Sequence, residues 1–251
     1  MGLLSRVSWV RVPDGPPSKE RRHIRYRSAF FVWYDVIMGT SSNSFKLPAK
    51  LPGMSDITYA ALQLATLSSR LALEDRTLVN HITGRAENVA EHSNMLAIVA
   101  PGIAELYYPH LDANLISRFA SIHDAVEAYV GDTTTHNITE KGLIEKAARE
   151  ARGLADFKKD FSFMPGVVEM IELYEAQEIA EARFVRIIDK WTPVLMHFND
   201  QGRTVRSYTN PKKIVKDYEP YAKRLREQFP EFPELVSARQ ELTALVAEHL
   251  F

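Results

Sequence analysis

From residue 56 onward, apolar residues recur at three- and four-residue intervals, and little of the chain alternates as a strand would. A helix with such a stripe must bury it against other helices. The sequence therefore predicts an all-α helical bundle with antiparallel neighbours. Ser55 or Asp56 caps a first helix running to about Leu78. A second reads from Glu87 to Tyr108, with a bend expected at Pro101-Gly102. A third runs from Asp112 to Val130, with Leu115, Phe119, Ile122, Val126 and Tyr129 at helical spacing. Thr139 caps a fourth. Pro165 suits the first turn of a long helical segment, 165 to 198, with a break near Ala176. Asn210-Pro211 opens a charged helix, and 233 to 249 form the last.

Residues 1 to 53 are unlike the rest. They hold Pro and Gly clusters and a linker-like SSNSFKLPAKLPGMS, with no sustained period. They read as a poorly structured extension, or as sequence upstream of a true start at Met38 or Met54. A basic arm for nucleic acid is the less favoured reading. The longest apolar run, AFFVWYDVIM, contains Asp35 and falls short of the ~18 residues of a membrane span. The organisation expected is this extension, a core over 54–205, and C-terminal helices over 206–251 packed on it.

The formal net charge of the 251 residues is −1, which gives no global basic excess for nucleic acid. Cysteine is absent. Disulfides and thiolate metal sites are thereby excluded, and a metal would need His and carboxylate ligands. A reducing cytoplasm fits this composition.

Within that frame a few polar residues are out of place. His92, in ENVAEHS, falls on the apolar face of Val89, Leu96, Val99 and Ile103. It is either a hydrogen-bonded core histidine or a ligand. In SIHDAVEAYVGD, His123 and Asp124 are adjacent, Glu127 overhangs the same face, and Asp132 follows Gly131. Neighbours on a helix diverge by about 100°, so His123 and Asp124 reach one ion only where the helix faces a pocket. Asp189, in ARFVRIIDKW, sits in an apolar turn, where an ionised carboxylate is costly unless paired or metal-bound. Arg186 is one candidate partner. His136, in the loop after Asp132, could touch substrate, with a solvated loop position the plainer reading; His81 precedes the arginine motif and could cap the pocket, which is the less favoured reading of it.

These segments together resemble the HD-domain metal-dependent phosphohydrolases, and more closely their 5′-deoxynucleotidase-like branch. The resemblance rests on RAENVAEHS, HDAVEAYVGD and LYEAQEIAEARFVRIIDKW, and covers roughly residues 58 to 200. It implies that His92, His123, Asp124 and Asp189 hold one divalent metal ion; Co, Mn, Zn, Fe or Ni suits such a borderline donor set. It implies Glu127 as the acid/base group and Asp132 as the residue that orients water or binds the sugar. Arg85 matches the arginine of the motif, and Arg76 lies near the branch's phosphate-binding arginine. The branch often has a Pro and a Lys after Gly-Asp, where this chain has TTTHNITEK.

The expected activity is hydrolysis of deoxynucleoside 5′-monophosphates to nucleoside and phosphate. A deoxynucleoside triphosphate hydrolase is the rival on the same site, with Arg183, Arg186 and Lys190 as added positive charge. A catalytically silent nucleotide-binding regulatory module is the rival of another class. The expected partner is a small-molecule nucleotide, without nucleic acid or membrane. The resemblance also implies a homodimer.

Overall fold

The computed structural model describes residues 46–80, 83–132 and 138–251. Most of the N-terminal extension, together with His81 and His136, lies outside the described residues. Helices dominate, as the apolar period requires. They are α1 (Asp56–Leu71), α2 (Val89–Tyr107), α3 (Ala113–Ile122), α4 (Glu127–Val130), α5 (Glu140–Asp160), α6 (Pro165–Ala176), α7 (Ala180–Asp189), α8 (Thr192–Asn199), α9 (Arg203–Tyr208), α10 (Pro211–Gln228) and α11 (Pro233–His249). No helix among the described residues is long and apolar enough to cross a membrane.

Helices α2 and α3 pack together, and α7 lies against both. Their shared core is closed by Leu96, Ile116, Phe119, Phe184, Val185 and Ile188, all fully buried. Phe229, Phe232, Leu235 and Val236 extend the same core into the C-terminal pair α10 and α11. Helix α2 runs unbroken through Pro101.

Three expectations are corrected. The first helix stops at Leu71, and residues Asp75–Asn80 form strand β1, paired antiparallel with β2 (Ala86–Asn88). The third helix breaks at His123. From there to α4 the backbone closes i→i+3 bonds, Ala125 N to Ile122 O at 2.8 Å and Glu127 N to Asp124 O at 2.9 Å, which wind the chain tighter than an α-helix. The long segment 165–198 breaks twice. The foreseen break follows Ala176, where Gln177 takes a left-handed conformation. The second follows Asp189, because Pro193 has no N–H to donate to the Asp189 carbonyl and sits instead in the first turn of a new helix.

Helix α2 starts with a reciprocal cap. The Asn88 side chain accepts from Glu91 N at 3.0 Å, and Glu91 Oε2 accepts from Asn88 N at 3.2 Å. This fixes the turn from which His92 projects. Asn88→Ala should cost about 1 kcal/mol and lower the melting temperature by roughly 2–4 °C, measurable by thermal unfolding followed by circular dichroism.

Candidate metal centre

Four element ends converge below the hairpin. His92 comes from the first turn of α2, His123 from the C-terminal cap of α3, Asp124 from the tightened turn after it, and Asp189 from the last residue of α7. Both imidazoles are buried. Their Nε2 atoms face each other at 3.2 Å. Asp189 Oδ1 lies 3.1 Å from His92 Nε2. Asp124 Oδ2 lies 2.9 Å from His123 Nε2 and 3.5 Å from His92 Nε2. His92, His123 and Asp189 each offer one ligand atom within 4.8 Å of the others.

The donor set fits a divalent cation. His123 Nδ1 lies 2.9 Å from the Ala120 carbonyl. With that nitrogen donating, Nε2 carries the lone pair that faces the cluster, the usual outer support of a ligating histidine. His92 Nδ1 is buried without a partner. The two Nε2 atoms and an Asp189 carboxylate oxygen form a cluster able to hold a metal ion, with Asp124 against the histidines.

The surroundings shift the two imidazoles in opposite directions. Burial and the nearby Arg76 push the His92 pKa down, which favours the neutral, ligating imidazole. Burial also opposes charge on His123, but Asp124 and Asp189 outweigh it and raise its pKa. Burial likewise works against the ionised form of Asp189, yet Lys190, His92 and His123 hold its carboxyl well below the usual range. Lys190 Nζ is 2.6 Å from Asp189 Oδ2. For Asp124, His123, His92 and Arg76 overcome burial in the same direction.

The two arginines expected at phosphate separate. Arg76, on β1, reaches the cluster: its Nη1 is 3.3 Å from Asp124 Oδ2, and its Nε is 3.5 Å from Glu87 Oε2. Arg85 is half exposed and forks onto Glu91, with Nη1 2.8 Å from Oε2. Glu127 opens α4, and its Oε2 is buried without a hydrogen bond. Burial, with Asp124 and Asp132, lifts its carboxyl to about 10. Gly131, at φ +72°, turns the chain so that Asp132 follows directly; Asp132 acts electrostatically on both Arg76 and Glu127.

The cations of the triphosphate rival are engaged elsewhere or beside the ligands. Arg183 pairs with Glu231 and donates to Gln228 O. Arg186 lies over the Tyr174 ring at 4.7 Å, and Lys190 sits on Asp189. Glu87 is the residue that sequence reasoning missed. It is 2% exposed, and burial lifts its carboxyl to about 7 despite Arg76. Its place inside RAENVAEHS was the only signal available.

Comparison with known proteins agrees with this architecture. The sequence model of the HD domain family matches residues 69–232, and the chain belongs to that family. Two relatives are the 5′-deoxynucleotidases HDDC2 of Homo sapiens and Xenopus laevis. The human protein is 30% identical over 144 residues, 53% of this chain and 65% of that protein. The frog protein is 30% identical over 169 residues, 66% of this chain and 78% of its own length. The chain thus spans less than two thirds of the human relative. The crystal structure of a predicted metal-dependent phosphohydrolase from Magnetospirillum magnetotacticum shares the fold, with a TM-score of 0.52 at 22% identity over 73% of this chain and 89% of that one.

The raised Glu127 carboxyl fixes the sign of a pH effect on the metal-free protein. Between pH 4.5 and about 10 the folded chain keeps a proton on Glu127 that the unfolded chain loses. Stability must therefore fall as pH rises through that window. Glu127→Gln should remove this contribution. The variant should gain stability over the wild type at pH 8 and show no gain at pH 4, as read by urea unfolding of chelator-treated protein.

Proposed function

We propose that this HD-domain protein is a divalent-metal-dependent phosphohydrolase acting on deoxynucleoside 5′-monophosphates. The observation that carries the reading is the convergence of His92 Nε2, His123 Nε2 and an Asp189 carboxylate oxygen within 4.8 Å of one another, with Asp124 and Arg76 against them. The 30% identity to two 5′-deoxynucleotidases supports the substrate class.

In this reading His92, His123, Asp124 and Asp189 hold one ion such as Co, Mn, Zn, Fe or Ni. The ion supplies a Lewis acid for phosphoryl oxygens and lowers the pKa of a water toward about 7 in the best cases. Arg76 presents a planar fork to the phosphate, held between the Glu87 and Asp124 carboxylates. Burial, Asp124 and Asp132 favour the protonated Glu127 carboxyl in the metal-free chain, and in this reading Glu127 delivers that proton to the 5′ oxygen as the phosphorus–oxygen bond breaks. The new bond forms from a water oxygen to phosphorus, and the proton that this water loses restores Glu127. Asp132, beside Glu127 and Arg76, orients that water or binds the sugar. Arg85 is withdrawn from the phosphate by Glu91.

The test uses chelator-stripped protein resupplied with Co²⁺, Mn²⁺ or Zn²⁺ and a panel of nucleotides, with products identified by mass. Metal-dependent orthophosphate from deoxynucleoside monophosphates is expected. His123→Ala and Asp189→Ala should each abolish it, and Arg76→Met should lower kcat/KM about 10²–10³-fold. Triphosphate released from deoxynucleoside triphosphates would overturn the substrate class and keep the site. Folded, metal-loaded protein with no turnover would point to a nucleotide-binding module.

A further inference from the structure

The C-terminal helix α11 lies wholly beyond the residues 69–232 that match the HD domain family. Its most unusual residue is Arg239, a cation 8% exposed. Among the described residues no carboxylate lies within ion-pairing distance of it. Burial lowers its pKa, so the position is costly and must be offset by what the guanidinium touches. Three contacts are made. Arg239 Nε donates to the Lys190 carbonyl at 2.7 Å. Nη1 donates to Thr243 Oγ1 one turn further along α11. The guanidinium carbon lies 4.7 Å from the centre of the Tyr218 ring, contributed by α10.

Of these, the bond to Lys190 O reaches across 49 residues. Lys190 is the C-cap of α7, immediately after Asp189. The carbonyls at a helix C-terminus lack intrahelical donors. Here Thr192 Oγ1 takes the Asp189 carbonyl at 2.7 Å, and Arg239 takes the next one. Both the backbone and the carboxylate of this turn are therefore held, the latter by Lys190 Nζ. A cation is also the favoured charge at that end of the helix.

We propose that Arg239 is a positioning residue for the metal centre, its guanidinium fixing the α7 end from which Asp189 enters the cluster. The proposal rests on the metal-centre reading above. It assigns the C-terminal helix a part in the site although none of its residues touches the ligand cluster.

The test is Co²⁺ binding, followed by calorimetry and by the visible absorption of the bound ion, on full-length folded protein. Wild type should bind Co²⁺ and His123→Ala should not; if they behave alike, the metal-centre reading fails and the proposal falls with it. Given wild-type binding, Arg239→Met should bind about tenfold more weakly with an altered spectrum, the scale of a lost supporting contact. Arg239→Lys, with one ammonium for two acceptors, should fall between. Arg226→Met removes a different tie between α10 and α11, the 2.6 Å bond to Gln240, and should bind as wild type does. Wild-type affinity and spectrum in folded Arg239→Met would overturn the proposal, as would an equal loss in Arg226→Met. Should Arg239→Met fail to fold, Arg239→Lys decides: weaker binding supports the role, and unchanged binding overturns it.

Discussion

Two imidazoles and the Asp189 carboxylate crowd one point with Asp124 against the histidines, and much of the structure follows from making that tolerable. Asp189 ends α7 and Asp124 lies just past the end of α3. Both sit at the negative ends of helix dipoles, where a carboxylate is disfavoured. His92 lies in the first turn of α2, at a positive end, where an imidazolium is disfavoured. Each placement is poor for an isolated charge. Together they concentrate negative potential opposite a neutral imidazole, a field that suits the proposed divalent cation.

The positive side chains are arranged around that field. Lys190 and Arg76 sit directly on the ligand carboxylates. Arg76 is further constrained by Glu87, whose burial keeps its carboxyl up to about 7. An arginine between two carboxylates is held in orientation, and a dianionic phosphate can compete for its free edge. Arg183, by contrast, is turned outward to Glu231. One well-oriented arginine suits the proposed monoester better than a longer phosphate chain.

The stripes that define α2, α3, α7 and α11 were legible in sequence because burial of a 3.6-residue period leaves its mark on every turn. The breaks were harder. Nothing in the residues 123–126 announces i→i+3 winding, since Ala125 and Val126 suit a continuous helix and only tertiary contacts decide between the two. The second break, after Asp189, had a visible cause in Pro193 that the strong apolar period of 180–188 concealed. The hairpin was missed because six residues with one short partner carry almost no independent signal, and pairing with Ala86–Asn88 settles their form. The same pairing separates the two arginines that the sequence offered. Arg85 is adjacent to the histidine motif in sequence, but β1 brings Arg76 to the cluster. The four ligand candidates stood out as polar residues in apolar settings, but only the resemblance to the HD family joined them into one set; Glu87 and Arg239 did not stand out, because their contacts run across the fold.

The breaks and the site are one phenomenon. On a continuous helix His123 and Asp124 would diverge by about 100°, and Asp189 would lie inside a long rod rather than at an end. Where the chain leaves α3, His123 Nε2 and Asp124 Oδ2 lie 2.9 Å apart. Ending α7 at Asp189 frees its turn to be held from outside the helix. Each interruption forfeits intrahelical hydrogen bonds, and the cost falls on the surrounding core. Phe119 and Ile116 on α3, with Phe184 and Ile188 on α7, are fully buried within two turns of the ligands. Side chains so enclosed leave the helix ends little room to move, so the packing that stabilises the bundle also holds the donor atoms in register.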